Sequence, residues 1–78
     1  MSEHFFTFQG QNMPGGDRLV TVSGVVAGDK IIQVLAVSGG VGDFTGNFMP
    51  YAPNGSVIVQ DSTDLDAYTF LLRVQRAD

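Results

Sequence analysis

The amino-acid sequence predicts an all-β protein, a small antiparallel β-sandwich or barrel of five to six strands. Apolar residues alternate with polar ones or occur in short runs, and Gly, Pro, Asn and Asp separate these segments. No stretch of useful length shows the helical period of apolar residues. At 78 residues, the chain is expected to form one small domain.

Three strands are expected in the first half of the chain. HFFTFQ (4–9) alternates aromatic and polar residues, and RLVTVS (18–23) alternates as well. KIIQVLAVS (30–38) is apolar on both faces, which is typical of a strand covered on both sides. Because Gly28 and Asp29 are strong turn residues, the last two strands are expected to form a central hairpin that supplies most of the aliphatic core.

A further strand and turn are expected in the middle of the chain. Asn54 and Gly55 form the best two-residue hairpin signal in the sequence. The strand SVIVQ (56–60) follows directly. A short strand within residues 44–49 would bring the total to six.

The final strand has a competing interpretation. AYTFLLRVQR (67–76) alternates with period two and is rich in β-forming residues. A short helix is the alternative, because Thr63 followed by Asp66 resembles a capping box. The longer alternation favours the strand.

Residues 18–78 are expected to form the single β domain, and residues 1–17 an N-terminal arm or edge strand. Leu71 and Ile31 are predicted to face away from the core side of their strands. A second apolar face needs a second layer, which in so short a chain can come from another subunit. Symmetric assembly would also cover open sheet edges, which few charges guard here.

Charged residues are scarce in this chain. They make up 15% of it, whereas soluble domains average about 25%. Either part of the surface is buried against a partner, or the surface is neutral and polar, as in many extracellular and virion β-proteins. These two interpretations are compatible with each other.

The composition also excludes several classes of protein. With four basic and eight acidic residues, the chain lacks the basic stripe of a nucleic-acid-binding protein. It has no apolar run of about 20 residues to span a membrane, and its N-terminus does not resemble a signal peptide. The absence of cysteine and the presence of a single histidine, His4, exclude disulfides, thiolate metal sites and histidine-rich zinc sites.

Asp61, Asp64 and Asp66 are the candidate calcium ligands. Their spacing is not that of an EF-hand, so the favoured interpretation is a solvated loop whose side chains bond nearby backbone N–H groups. Paired carboxylates could also act on a glycosidic bond. A chain of this length has little interior in which to form the cleft that such chemistry requires.

Other patterns do not form a catalytic site. His4 lacks the sequence context of a serine-hydrolase triad, and the glycines of segment 39–46 are not followed by the lysine of a phosphate loop. Phe44, Phe48 and Tyr51 could plug one end of the sandwich, contact a partner protein or stack on a sugar. We therefore expect no enzyme activity, no cofactor and no metal.

Two sequence motifs indicate a resemblance to a known class of proteins. The pattern V-x-V-S-G-V-x-x-G-D, here Val20 to Asp29, precedes an apolar strand from Ile31 to Val37. A polar turn from Ser62 to Leu65 then precedes a final apolar strand from Tyr68 to Val74. Over about three quarters of its length, the chain thus resembles short structural proteins of tailed bacteriophages.

The resemblance implies a virion component, and specifically a capsid decoration or cement protein. Such a protein would lie on the capsid surface as a dimer or trimer and bind the major capsid protein, with no nucleic acid or membrane contact. Residues 1–17 could then be an arm that orders on binding.

A cement protein acts through interface area, and a standard interface buries about 800 Å² per partner. The residues expected to make contacts are Phe5, Phe6, Phe8, Phe44, Tyr51 and Leu71. Gly28, Asp29 and Asp64 are expected to be structural turn residues. Two alternatives stay open: a receptor- or carbohydrate-binding module of a phage tail or fibre, which needs an exposed aromatic platform, and a small enzyme, which needs a polar pocket.

Overall fold

A computed structural model describes residues 1–12, 14–15 and 18–78. Within these residues, the elements in chain order are β1 (Ser2–Gln9), β2 (Arg18–Thr21), β3 (Lys30–Ser38), β4 (Gly42–Asp43), a 3₁₀ turn (Thr45–Asn47), β5 (Val57–Gln60) and β6 (Thr69–Arg76). Strands β1, β6, β3 and β4 lie side by side, in this order, in a four-stranded sheet, and β2 pairs with β5 in a second sheet. All pairings are antiparallel, and the predicted all-β class is confirmed.

Strand β6 lies inside the larger sheet, between β1 and β3. Its pairing with β1 runs without a shift, from Ser2 opposite Arg76 to Gln9 opposite Thr69. The pairing of β6 with β3 contains two register irregularities. Residues 2–9 therefore form a regular edge strand, while positions 13, 16 and 17 of the expected N-terminal segment lie outside the described residues.

The predicted central hairpin is wrong, because β2 pairs with β5 and β3 pairs with β6 and β4. The loop between β2 and β3 is anchored elsewhere. The Gly28 N–H donates to the Ala52 carbonyl at 2.9 Å, and the Ser56 N–H donates to the Val25 carbonyl at 2.7 Å. Because these bonds tie the loop to residues 52–56, the two strands leave it toward different sheets.

A tight turn precedes β5, one residue later than predicted. Asn54 and Val57 form the bridge that closes it, so its central residues are Gly55 and Ser56. Ser56, the second central residue, has φ of 60°, in the left-handed region that favours Gly or Asn at this position of a turn. A glycine at this position would adopt the same backbone with less strain.

Residues 47–52 join the two sheets. The Met49 N–H donates to the Val59 carbonyl of β5, and the Ile31 N–H of β3 donates to the Pro50 carbonyl, both at 2.9 Å. The short strand expected in this part of the chain is instead the 3₁₀ turn, followed by this joining segment. It gives the sandwich a partly barrel-like closure on one side.

The core is built around the ring of Phe70, which is 0% exposed. Its centroid lies within 5.8 Å of four other aromatic rings, those of Phe8, Phe44, Phe48 and Tyr68. Such separations are favourable for edge-to-face and tilted aromatic pairs. Aliphatic residues of both sheets complete the same cluster, among them Val20, Val34, Ile58, Leu72 and Val74. Phe44 and Phe48 thus plug the sandwich, the first of the three interpretations of the aromatic loop.

The strand predicted near the C-terminus is confirmed, and Leu71 faces away from the core as predicted. Leu71 is half-buried between two fully buried neighbours, Phe70 and Leu72. The outward orientation predicted for Ile31 is wrong, because this residue is buried. The register irregularity that follows Ile31 pairs it with the core residue Val74 and inverts the alternation at the start of β3.

Candidate interaction surface

The outer face of the four-stranded sheet, which points away from the core, carries an apolar patch. Cross-strand partners in a sheet share one face, so Leu71 lies on the same face as Leu35 of β3 and Thr7 of β1. Phe5 is two residues from Thr7 along β1 and therefore also shares this face. Phe5 is 57% exposed, while Leu35 and Leu71 are half-buried. We refer to Phe5, Leu35 and Leu71 as the outer patch.

Paired polar residues flank the outer patch. Arg73, which lies opposite Phe5, places its Nη2 2.7 Å from Glu3 Oε2 and donates from Nε to the same oxygen at 2.8 Å. On the β4 side, Gln33 Nε2 donates to Asp43 Oδ2 at 3.3 Å. An apolar centre with a polar rim is the usual anatomy of a protein–protein interface.

Strand β1 leaves one side of its backbone open. The N–H of Gly10, the next residue after β1, donates across to the Tyr68 carbonyl at 2.9 Å. Because backbone groups of a strand point alternately to its two sides, those of Glu3, Phe5 and Thr7 point away from β6. In the described part of the chain, no backbone or side-chain group bonds to them.

The six residues expected to make contacts lie in different environments. Phe5 belongs to the outer patch, as does Leu71. Tyr51 is 52% exposed and lies beside Lys30, at the start of β3. The other three pack against or within the core: Phe6, Phe8 and Phe44. The chain itself holds these three rings, so they are not part of the outer patch.

A buried ion pair was not foreseen from the sequence. Asp29 is 1% exposed, and its carboxylate accepts two hydrogen bonds from Arg76, from Nε at 2.9 Å and from Nη2 at 2.8 Å. The Val26 N–H donates to it as well, at 3.0 Å. The Arg76 guanidinium lowers the pKa of Asp29, outweighing the opposite effect of burial.

This ion pair fixes the loop between β2 and β3 to the end of β6. The same guanidinium donates from Nη2 to the Gly24 carbonyl at 3.1 Å. The Asp29 N–H donates to the Val26 carbonyl at 3.1 Å, which closes the turn. Gly28 adopts φ of 88° within it. The prediction that Gly28 and Asp29 are structural turn residues is confirmed, although the partner of Asp29 was not predicted.

A second buried polar group, Gln60, also went unpredicted. It is fully buried, and its side-chain amide binds the backbone of Gln11 through both its donor and its acceptor, at 2.8 and 3.2 Å. It donates a further bond to the Thr63 carbonyl at 3.0 Å. Gln60 thus satisfies backbone groups that follow β1 and β5, where the chain has left the strands.

The acidic loop is stabilised from within. Asp61 Oδ1 accepts from the Thr63 N–H at 2.9 Å, and Asp64 Oδ1 accepts from the Asp66 N–H at 3.1 Å. Burial alone would raise the pKa of Asp61, but the bonds from Thr63 and Asn47 lower it, whereas hydrogen bonding to Asp64 raises the pKa of Asp66. These bonds confirm the interpretation of the loop as a turn structure. Among the described residues, no group of three or more His, Asp or Glu side chains is placed to hold a metal ion.

A depression on the surface is lined by residues 46–49, Val59 and Asp61. Among the described residues of this lining, Asp61 has the one ionisable side chain, and its carboxylate already accepts a bond from Asn47 Nδ2 at 3.0 Å. The lining therefore does not combine a nucleophile with a base. The outer patch, not this depression, is the candidate interaction surface.

Comparisons with known proteins identify no relative of the chain. No protein-family model matches it, and neither a curated protein nor a solved structure matches it. The described residues contain no helix that is long and apolar enough to cross a membrane.

Proposed function

We propose that the protein is a non-enzymatic structural component of a larger assembly and that it contacts its partner through the outer patch. The observation that carries this proposal is the position of Phe5, Leu35 and Leu71. They form an apolar centre on a sheet face that the chain's own second sheet does not cover. The low content of charged residues supports it, because few ionised side chains are available to solvate both faces of the larger sheet.

Within this class, we propose a capsid decoration or cement protein of a tailed bacteriophage, bound to the major capsid protein on the capsid surface. The support for this finer assignment is the resemblance of Val20 to Asp29 and of Ser62 to Leu65 to short phage structural proteins. The size of the chain is compatible with this assignment. An interface of about 800 Å² per partner would cover roughly a fifth of the 4200 Å² surface of this chain.

The test is co-sedimentation with capsids that lack this chain. Phe5→Ser should weaken capsid binding at least about tenfold, because it removes the most exposed side chain of the outer patch. Leu19→Ser is the matched control, since Leu19 is as exposed as Phe5 but lies on β2, in the other sheet. Both variants should keep the thermal midpoint of the parent, because neither residue is buried.

Two results would contradict the proposal. Wild-type protein that remains in the supernatant at every capsid concentration would remove the capsid assignment. Equal binding by wild-type protein and Phe5→Ser would remove the outer patch as the contact surface.

A further inference from the structure

The unpaired backbone on the open side of β1 is a second surface to which a partner can bind. We propose that two copies of this chain pair through β1, antiparallel and around a twofold axis at Phe5, to form one continuous eight-stranded sheet. This inference rests on the proposed function, in that the chain works within an assembly. It adds the partner at the edge of the sheet, which is a second copy of the chain.

The edge formed by β1 has none of the usual protections against pairing. Natural edge strands are commonly short, bulged, interrupted by proline or guarded by lysine. Strand β1 spans eight residues, pairs with β6 without a bulge and contains neither proline nor lysine. Its acidic residue, Glu3, is engaged by Arg73 at 2.7 Å. At the opposite edge of the sheet, β4 has two residues and offers little backbone.

The free backbone groups determine the register of the pair. The Gln9 carbonyl already accepts a bond from its own chain, from Gln11 Nε2 at 3.1 Å. This leaves Glu3, Phe5 and Thr7, whose middle member is Phe5. A twofold axis at Phe5 pairs each free residue with a free residue of the other copy and forms about six interchain hydrogen bonds.

The charges of β1 are compatible with a second copy in this register. Glu3 of each copy lies opposite Thr7 of the other, and the two Glu3 carboxylates are about 13 Å apart along the strands. This distance exceeds the Debye length of about 8 Å at physiological salt, so the copies do not repel one another at the seam. The two Phe5 rings become neighbours and cover part of each other's exposed surface.

The pairing also places both outer patches on one side of the combined sheet. Residues paired directly across an antiparallel seam point to the same face, so the Phe5 side chains of both copies point the same way. A dimer of this form offers a partner assembly two copies of one contact surface. Two linked contacts raise apparent affinity without any new type of interaction.

The first test uses single cysteines, because the chain has none of its own. Under mild oxidation, Phe5→Cys should give a disulfide-linked dimer, since the two Cα atoms at the axis would lie about 5.5 Å apart. Thr7→Cys is the control on the same exposed face. Its two thiols would be about 13 Å apart along the strands and should stay reduced. Equal cross-linking of both variants, or cross-linking of neither, overturns the register.

The second test removes one backbone donor. Thr7→Pro deletes an N–H that points to the open side of β1, a position where edge strands tolerate proline. Light scattering should find a dimer for wild-type protein and for Thr7→Val, and a monomer with intact β-sheet circular dichroism for Thr7→Pro. If Thr7→Pro does not fold, the cysteine pair decides the question.

The outcomes separate this inference from the proposed function. A folded, dimeric Thr7→Pro variant, or a monomeric wild-type protein at about 100 µM, overturns pairing through β1. Neither result removes the outer patch as a capsid contact. Because Phe5 also lies at the proposed seam, the Phe5→Ser and Leu19→Ser comparison tests that contact when light scattering finds the two variants in the same oligomeric state. A monomeric Thr7→Pro that binds capsids about tenfold or more weakly than wild-type protein supports both.

Discussion

Replacing Phe70 with alanine should lower the free energy of unfolding by about 3–5 kcal/mol. Phe70 is fully buried on β6, an interior strand of the larger sheet, and contacts rings contributed by β1, the 3₁₀-turn region and the residue preceding β6. A domain of this length has a total stability of about 4–12 kcal/mol. The variant should therefore be largely unfolded or melt far below the wild-type protein in urea and thermal denaturation.

Phe70→Leu is the matched control, because leucine keeps most of the buried volume and loses only the aromatic contacts. It should cost clearly less than alanine, by about 1–2 kcal/mol. Both measurements should be made at one protein concentration, since self-association would make stability depend on concentration. A Phe70→Ala midpoint within a few degrees of the wild-type midpoint would contradict the central role of this ring.

Replacing Asp29 with alanine should cost about 3 kcal/mol. The change leaves the mostly buried Arg76 guanidinium without its partner and the Val26 N–H without its acceptor. Glu3→Gln is the control, because it weakens the Arg73–Glu3 pair, whose two side chains are about two-fifths exposed. An exposed pair contributes only about 0–1 kcal/mol. If the two substitutions lowered the free energy of unfolding equally in urea denaturation, burial of the Asp29–Arg76 pair would contribute no additional stability.

The same pair predicts how stability depends on pH. Arg76 lowers the pKa of Asp29 in the folded state, so the ion pair contributes fully above the unfolded pKa of about 3.9. Its contribution is lost as the pH falls through the lower, folded pKa. Asp29→Asn should therefore lose less stability than the wild-type protein between about pH 5 and pH 2. Parallel curves of unfolding free energy against pH for the two proteins would contradict this.

The strands could be predicted because their sequence signal is local. Their pairing could not, because it joins residues far apart in the chain. Alternation placed β1 and β6 close to their observed bounds, and it correctly turned Leu71 outward. The expected hairpin failed because the loop between β2 and β3 is held by bonds to residues 52–56, more than twenty residues away in sequence. The predicted orientation of Ile31 was wrong because a β-bulge, which the sequence pattern does not indicate, inverts the alternation.

The buried ion pair was only partly predictable from the sequence. The alternation of Phe70, Leu72 and Val74 continues to Arg76, so it places a cation on the core side of β6 and implies that a carboxylate must meet it. The chain has eight acidic residues, and only the three-dimensional path identifies Asp29 as the partner. The contacts of Gln60 could not be predicted either, because its partners are backbone groups, which the amino-acid composition does not identify.

The outer patch was partly foreseen. Phe5 and Leu71 were both expected to make contacts, but the sequence did not show that they share a sheet face. That face depends on the register of β1 against β6, which joins residues more than sixty positions apart. Leu35 joins the patch through the pairing of β3 with the same strand. Patterns within a strand cannot specify such relations between strands.

The location of β6 within the sheet has a consequence for how the chain acquires its structure. On the ribosome, β1 and β3 emerge before the strand that lies between them, so β1 and the β6-facing side of β3 lack their partner until residues 69–76 are synthesised. Closing loops of this length is entropically costly, and domains dominated by such distant pairings fold in milliseconds to seconds rather than microseconds. During that interval the apolar β3 segment is accessible to other nascent chains, so the rate of translation and the supply of chaperones would influence the yield of native protein.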